Sequence, residues 1–82
     1  MLFRVEVVVG LKEGMLDAEG ETVKRSLRSL GIDLVDVKTS KVYALTVDCS
    51  DREKTIEVAE ESCRKLLVNP VVNRYHIMVE NE

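Results

Sequence analysis

The pattern of hydrophobic and polar positions predicts four β-strands. Apolar residues occupy every second position through residues 3–9, 41–48 and 73–79, and the shorter segment 34–38 places Val35 and Val37 on one face. Successive side chains of a strand point to opposite faces, so this two-residue period is typical of strands with one buried face. The side chains predicted to point toward the core are Phe3, Val5, Val7, Val9, Tyr43, Leu45, Val47, Tyr75, Ile77 and Val79.

A helical period separates the first two predicted strands. Val23, Leu27 and Leu30 recur at intervals of four and three residues, which places them on one stripe of a helix. Asp17 stands where an N-cap residue belongs, and Gly31 stands where a helix commonly ends. The sequence therefore predicts a helix over residues 18–30.

A second helix is predicted between the last two strands. Ser50 is followed three residues later by Glu53, the spacing of a capping box with Ser50 as the N-cap. Asn69-Pro70 ends this helix, because the residue before a proline is disfavoured in the helical conformation. The apolar stripe of this helix comprises Ile56, Ala59, Cys63, Leu66 and Leu67.

The order of these elements is strand, helix, strand, strand, helix, strand. It predicts an α+β, ferredoxin-like βαββαβ fold, with a four-stranded antiparallel sheet and two helices on one face. Thr39-Ser40 would form the turn of a hairpin between strands 34–38 and 41–48. No linker or change in composition divides the chain, so residues 1–82 are expected to form a single domain.

The sheet face turned away from the helices is unusually apolar. An antiparallel sheet normally presents polar residues to solvent, and a contiguous apolar patch commonly marks an interface. Scattered surface hydrophobic residues are the simpler alternative. We predict that this face is used for oligomerisation, through Leu2, Val8, Val42, Ala44 and Met78.

Composition narrows the class of protein. The chain has 82 residues, of which 45% are hydrophobic and 33% charged, with a net charge of -3. These proportions are typical of a globular protein, and a mixed, slightly acidic surface disfavours nucleic-acid binding. The apolar runs are shorter than the ~20 residues of a membrane span, and the N-terminus lacks the layout of a signal peptide. A cytoplasmic location without membrane attachment is expected.

The sequence offers no convincing catalytic or metal site. His76 is the only histidine, and no serine or cysteine beside it suggests a nucleophile–base pair. Cys49 and Cys63 are too few for a disulfide framework or a zinc site. Gly10 and Gly14 bracket a loop that lacks the Gly-Lys-Ser/Thr ending of a phosphate-binding P-loop. We expect no active site, bound metal or cofactor in this chain.

Two segments resemble motifs of a known family. Residues 11–20 read LKEGMLDAEG and resemble the LKEGVLDPQG signature that follows the first strand in PurS proteins. Residues 65–72 read KLLVNPVV and resemble the KLLANPVI segment at the end of the second helix in that family. The resemblance extends over essentially the whole chain. It departs at Ala18, where the family usually has proline, and at Ser40, where a glycine is common.

The resemblance implies a role in purine biosynthesis. PurS proteins are small, non-catalytic subunits of phosphoribosylformylglycinamidine synthase, a glutamine amidotransferase complex that converts formylglycinamide ribonucleotide to formylglycinamidine ribonucleotide. A PurL-type synthase subunit binds ATP, magnesium and the ribonucleotide, and a PurQ-type glutaminase subunit supplies ammonia. The resemblance further implies a homodimer or homotetramer that bridges these partners, and it raises the hypothesis that the small subunit helps to confine the ammonia.

The two motif loops are the predicted contacts with these partners. Capping and helix termination already explain several of their residues, whereas Lys12 and Glu13 have no evident local role. An alternative function is a free-standing ferredoxin-like regulatory module that binds a small ligand at a dimer interface. The interface candidates are Lys12, Glu13, Gly14, Asp17, Gly20, Asn69 and Pro70.

Overall fold

The computed structural model describes residues 1–81. They form three strands and two helices, the second of which continues into a π-helical segment. In chain order the elements are β1 (Leu2–Leu11), α1 (Ala18–Ser29), β2 (Lys41–Asp48), α2 (Arg52–Ser62), the π-helical segment Cys63–Leu67 and β3 (Asn73–Asn81).

The first strand lies at the centre of the sheet. The strand order is β2-β1-β3, and both pairings are antiparallel. Val5 lies opposite Leu45 on β2 and opposite Val79 on β3, so the residues predicted to point inward share one face. The registers confirm the predicted alternation along all three strands.

The core lies between this face and α2. Val5, Val7, Ala59 and Cys63 are fully buried there, and Leu45 is among the side chains packed around them. Burying one valine side chain stabilises the fold by roughly 1.5–2 kcal/mol. Tyr75 was also predicted to face the core, but 40% of it is exposed and its hydroxyl donates to Glu60 Oε2 at 2.6 Å. The polar end of the tyrosine explains this position, because a hydroxyl needs a partner or water.

The prediction of a four-stranded sheet is wrong. Residues 34–38 form no strand, and β2 pairs with β1 instead of forming a hairpin through Thr39-Ser40. The side chain of Arg28 on α1 bonds to the backbone of this segment: it donates to the carbonyl oxygens of Leu34 and Val35 at 3.0–3.2 Å. Those carbonyls are therefore satisfied without a neighbouring strand. The general α+β character of the prediction remains.

The prediction that both helices cover the sheet is also wrong. Among residues 1–81, α2 packs on all three strands, whereas α1 packs mainly on the extended segment that follows it. We call residues 12–40, which leave the sheet after β1 and return at β2, the arm. The arm lengthens the molecule to 50 × 28 × 14 Å, with a radius of gyration of 16.1 Å. A compact chain of this length has a radius of gyration of about 12 Å.

The helix ends follow the sequence closely, with one shift. Asp17 caps α1 as predicted, and Gly31 has a φ of 85°, the left-handed conformation favoured by glycine. The N-cap of α2 is Asp51 instead of Ser50, because the Asp51 carboxylate accepts from the Lys54 amide at 2.8 Å. A carboxylate is at least as good an acceptor at this position as a hydroxyl. No helix among the described residues is long and apolar enough to span a bilayer.

Candidate functional site

The first motif loop connects β1 to α1 and is fixed at its base. Lys12 donates its backbone amide to Val72 O at 2.9 Å and its Nζ to Pro70 O at 2.6 Å. The Met15 amide donates to Lys12 O at 3.1 Å, and Gly14 in this turn has a φ of 84°. Most other residue types disfavour that conformation, so a glycine is needed at the turn.

The second motif loop is ordered by two asparagines. Asn69 O accepts the backbone amides of Val72 and Asn73 at 3.1 and 2.8 Å, and Asn69 Oδ1 accepts the Val71 amide at 3.0 Å. The Asn73 side chain accepts from the Asn69 amide at 2.9 Å and donates to Gly10 O at 3.2 Å. The loop is thereby attached to the end of β1.

The structure thus brings the two motif loops together. Lys12 and Pro70 are 58 positions apart in the sequence, yet Lys12 Nζ donates directly to the carbonyl oxygen of Pro70. Lys12 therefore has a structural partner, contrary to the expectation that it has no local role. Glu13 is exposed and has no ion pair or side-chain hydrogen bond with the other described residues. Of the predicted contact residues in the first loop, Glu13 is the charged one free to meet a partner.

A cleft of about 630 Å³ opens beside the first motif loop. It lies between the end of the sheet, the loop and the returning part of the arm. Charges of both signs line it, so it has no strong preference for an anion or a cation. Its lining includes Lys12, Glu13, Asp17, Asp36, Lys38 and Arg74.

Asp17 joins the two ends of the arm. Its Oδ1 accepts the Gly20 amide at 2.9 Å, which caps α1. Its Oδ2 accepts the Thr39 amide at 2.7 Å, and the Thr39 hydroxyl donates to Oδ1 at 2.8 Å. The Thr39 amide, followed by the Gly20 amide and the Thr39 hydroxyl, lowers the pKa of the Asp17 carboxyl, because all three bonds favour the charged form.

Gly20 is needed for the same junction. A Cβ at this position would lie 2.7 Å from Val37 O and 2.7 Å from Asp17 Oδ2. The absence of a side chain therefore lets α1 approach the backbone of the returning segment. Sequence reasoning assigned Gly20 to a partner interface, but its contacts with Val37 and Asp17 give it a structural role.

The predicted oligomer face is apolar but interrupted. Leu2, Val42 and Met78 are 51%, 53% and 41% exposed. Glu6 lies between Ala44 and Met78 across the strands and forms a 3.7 Å ion pair with Arg4. The apolar surface is thus divided, and Val8 beside Val42 forms a second part of it.

The side chains that could bind a metal or act as nucleophiles are dispersed. Within residues 1–81, no three His, Cys, Asp or Glu side chains are close enough together to hold a metal ion. Cys63 is fully buried, and burial, with a smaller contribution from Glu60, raises the pKa of its thiol. Cys49 contacts the Thr55 hydroxyl at 2.9 Å. That this chain binds no cofactor of its own stays a prediction.

Sequence reasoning missed Thr39 and Arg28. Thr39 was assigned to a turn, although a threonine 22 residues after an N-cap aspartate carries no local signal of their contact. Arg28, in the last turn of α1, was given no role from the sequence but holds the returning segment. Only the three-dimensional path of the arm identifies these two residues.

Comparisons with known proteins place these features in a family. A family model described as "PurS: Phosphoribosylformylglycinamidine (FGAM) synthase" matches residues 4–81. The phosphoribosylformylglycinamidine synthase subunit PurS of Methanocaldococcus jannaschii is 40% identical over 80 residues, covering 96% of both chains. The subunit of the same name from Bacillus subtilis is also 40% identical over 80 residues, covering 96% of this chain and 94% of that one.

Solved structures agree with the sequence comparison. The PurS subunit from Thermotoga maritima superposes with a TM-score of 0.91 at 32% identity, covering 98% of this chain and 93% of that chain. A chain in the structure of PurLQS from Thermotoga maritima gives a TM-score of 0.91 at 32% identity, covering 98% of this chain and 99% of that one. Likeness at this level over whole chains extends to the path of the arm.

Proposed function

This chain belongs to the PurS family, and we propose that it works as the small subunit of phosphoribosylformylglycinamidine synthase in purine biosynthesis. Its partners in that complex are a PurL-type synthase subunit and a PurQ-type glutaminase subunit. One observation carries the proposal: the whole chain, including the arm, superposes on a chain of the PurLQS structure. The similarity favours a subunit over a free-standing regulatory module.

The joined motif loops are the surface proposed to contact these partners. Glu13 is exposed and free of internal partners among the described residues, whereas Lys12 and Asn69 hold the loops in place. A surface held by internal hydrogen bonds loses little conformational freedom on binding, which favours association. Glu13 would then contact the partners, and Lys12, Asp17, Asn69 and Pro70 would position the loops.

The chemistry of the complex is assigned to the other subunits. We propose that ATP and magnesium bind to the synthase subunit and that glutamine is hydrolysed on the glutaminase subunit. This chain would then contribute assembly, with a part in confining ammonia between the two sites as a further hypothesis. The complex is proposed to work in the cytoplasm, as a homodimer or homotetramer of this chain with its two partners.

Reconstitution tests the proposed role directly. The purified chain is added to the matching synthase and glutaminase subunits with ATP, magnesium and formylglycinamide ribonucleotide, and glutamine-dependent turnover is measured. We expect turnover and a three-component complex on size-exclusion chromatography only when this chain is present. Ammonia-dependent turnover by the synthase subunit alone serves as the control for an intact catalytic site.

Two results would contradict the proposal. If the other two subunits use glutamine equally well without this chain, assembly does not depend on it. If this chain remains apart from both partners on the column, it is not a subunit of that complex. A screen of small ligands against the isolated chain would then test the regulatory alternative.

A further inference from the structure

The strand β3 lies at one edge of the sheet and lacks the common features that protect an edge. It is nine residues long and, among residues 1–81, pairs on one side only, with β1. The pairing runs from Asn73 to Asn81 without a bulge, and the strand contains no proline. Its charged residues Arg74 and Glu80 lie near its two ends. The middle of this edge is therefore open to pairing with a further strand.

The hydrogen-bond pattern shows which backbone groups of β3 face outward. The Lys12 amide donates to Val72 O at 2.9 Å, and the Cys49 amide donates to Met1 O at 3.0 Å. Hydrogen-bonded and non-hydrogen-bonded pairs alternate along an antiparallel ladder. Continued along the two registers, this alternation lets even-numbered residues of β1 bond to β3 and odd-numbered residues bond to β2. The outward-facing N–H and C=O groups in the middle of β3 therefore belong to Tyr75, Ile77 and Val79.

These outward groups form a regular row of donors and acceptors. Among residues 1–81, no backbone group outside the sheet ladder bonds to the N–H or C=O of Tyr75, Ile77 or Val79. Alternate residues of a strand are about 6.6 Å apart, at ~3.3 Å per residue. An extended peptide presents one donor and one acceptor at the same interval, which is how a strand is added to a free sheet edge.

A groove of about 650 Å³ lies between this edge and α2. Its apolar lining comes from both elements, and these side chains are only half-buried in the single chain. Arg52 of α2 also lines the groove and has no ion pair among the described residues. The groove therefore suits apolar side chains, with a carboxylate at the arginine. Its half-buried apolar residues are Ile56, Ile77 and Val79.

We propose that the free edge of β3 binds an extended segment of the synthase subunit as an added strand. The backbone of that segment pairs with Tyr75, Ile77 and Val79, its apolar side chains face the groove, and a carboxylate lies beside Arg52. The sheet within this chain keeps its three strands. The inference rests on the proposed function for the identity of the partner, and it gives that partner a contact beyond the motif loops.

A second copy of this chain fits the edge and the groove less well. In a second copy, Ile77 and Val79 of β3 already pack against its own core, so they are not free to enter the groove. The extended segment of the arm is also engaged, because Arg28 donates to the carbonyl oxygens of Leu34 and Val35. A segment with uncommitted backbone and side chains can occupy both the edge and the groove.

The edge is continuous with the surface proposed to contact the partners. Its first residue, Asn73, orders the second motif loop by accepting from the Asn69 amide. Tyr75 and His76 line both the groove and the cleft beside the first motif loop. One partner can therefore cover the loops and the edge together. We assign the segment to the synthase subunit, because a chain required for turnover must stay bound to the subunit that carries the reaction.

Hydrogen exchange of the edge amides tests the proposal. The ¹⁵N-labelled chain is assembled with unlabelled synthase subunit and placed in heavy water, the exchange is quenched, and the amides are read by NMR. We expect three amides of β3 to exchange at least about tenfold more slowly in the complex than in the chain alone. They are the amides of Tyr75, Ile77 and Val79. The outward-facing amides of the β2 edge serve as the reference and should keep their rates. They belong to Val42, Ala44 and Thr46.

A change to the backbone gives an independent readout. Residues 63–82 are synthesised and joined to residues 1–62 by ligation at Cys63, which leaves the sequence unchanged. N-methylation of Ile77 removes one outward donor and leaves the ladder to β1 intact, so the thermal midpoint should stay the same. Binding to the synthase subunit should weaken at least about tenfold, because an acceptor of the added strand loses its partner. N-methylation of Met78 removes a bond to β1 instead and should lower the thermal midpoint.

Four results would overturn the proposal. These are a complex in which the edge amides exchange as fast as in the chain alone, and equal synthase binding with and without the methyl group on Ile77. The others are protection that appears in the chain alone as its concentration rises, which assigns the edge to a second copy, and protection by the glutaminase subunit only.

The proposed function is read separately, by size-exclusion chromatography and glutamine-dependent turnover. An active three-component complex with an unprotected β3 edge would refute the added strand and leave the proposed function standing. A chain that binds neither subunit would refute both.

Discussion

Asp17 and Thr39 are joined by three hydrogen bonds of 2.7–3.0 Å, and these bonds close the arm at its root. The same carboxylate caps α1 through the Gly20 amide. One side chain thus determines both where the helix begins and where the chain returns to the sheet. The position of α1 relative to the motif loops depends on this contact.

The root of the arm is expected to weaken in acid. The pKa of Asp17 is lowered in the folded chain, chiefly by the Thr39 amide, so protons bind more tightly to the unfolded chain. The stabilisation of the folded chain by ionised Asp17 is therefore present in full above pH ~4, the usual aspartate pKa. It is lost as the pH falls through the lowered pKa of the folded chain. Hydrogen exchange of the Thr39 and Gly20 amides, measured from pH 6 to pH 2, would show the loss of their protection.

Asp17→Asn is the control for this titration. The amide keeps an acceptor oxygen but has no charge to lose, so the acid-dependent step in Thr39 and Gly20 protection should disappear. An unchanged step in this variant would show that another carboxyl group controls the arm.

Gly20→Ala is expected to destabilise the arm, against the usual trend for helices. Replacing a helical glycine by alanine normally stabilises by roughly 0.5–1 kcal/mol. Here the new methyl group would lie 2.7 Å from Val37 O, and such overpacking typically costs ~1–3 kcal/mol. Exchange of the α1 amides should accelerate. Ser26→Ala, on an exposed position of the same helix, should instead slow exchange slightly, and a slowing in both variants would refute the close approach at Gly20.

The two cysteines should differ in reactivity. Cys63 is fully buried, and its raised pKa reduces the thiolate fraction, whereas Cys49 is partly exposed. A thiol reagent at pH 8 should label Cys49 at least roughly tenfold faster than Cys63, because Cys63 reacts only when the fold opens. In Cys49→Ser the fast phase should vanish; a remaining fast phase would mean that Cys63 is accessible.

Charge reversal should separate contact from positioning in the first motif loop. Glu13→Lys should weaken binding to the synthase and glutaminase subunits by about tenfold or more without changing the thermal midpoint, because Glu13 has no internal partner among the described residues. Lys12→Ala should lower the midpoint, since it removes the 2.6 Å bond to Pro70 O. Titration calorimetry and thermal unfolding measure the two effects. Unchanged binding in Glu13→Lys would exclude this side chain as a contact.

The sequence predicts the three strands of the sheet and the cap of α1 well because their signals are local. The alternation of Val5, Val7 and Val9 identifies β1 and its buried face, and Asp17 identifies the start of α1. The two motif loops could also be identified from the sequence, by their resemblance to the PurS motifs. Their meeting through Lys12 and Pro70 could not, since a hydrogen bond across 58 residues leaves no pattern in the chain.

The missing fourth strand had a physical cause that lies outside its own segment. Val35 and Val37 carry the period of a strand, but Arg28 and Asp17 satisfy backbone groups around them from α1 and its cap. The apolar stripe of α1 led to the wrong prediction that this helix packs on the sheet. Its period is helical, but the period indicates only that one face of the helix is apolar, not which surface packs against it. Whether that packing surface belongs to the same chain or to another chain depends on the assembly.

The central position of β1 also governs when the chain can fold. The first strand to be synthesised pairs with β3, whose residues are the last of the described chain, with Phe3 opposite Asn81. At ~5–20 residues per second, synthesis of residues 12–81, from the end of β1 through β3, takes about 3.5–14 seconds, during which one edge of β1 has no partner. The sheet is therefore completed only after β3 has been synthesised, and a nascent chain that stalls before β3 leaves the most apolar strand of the protein open to aggregation.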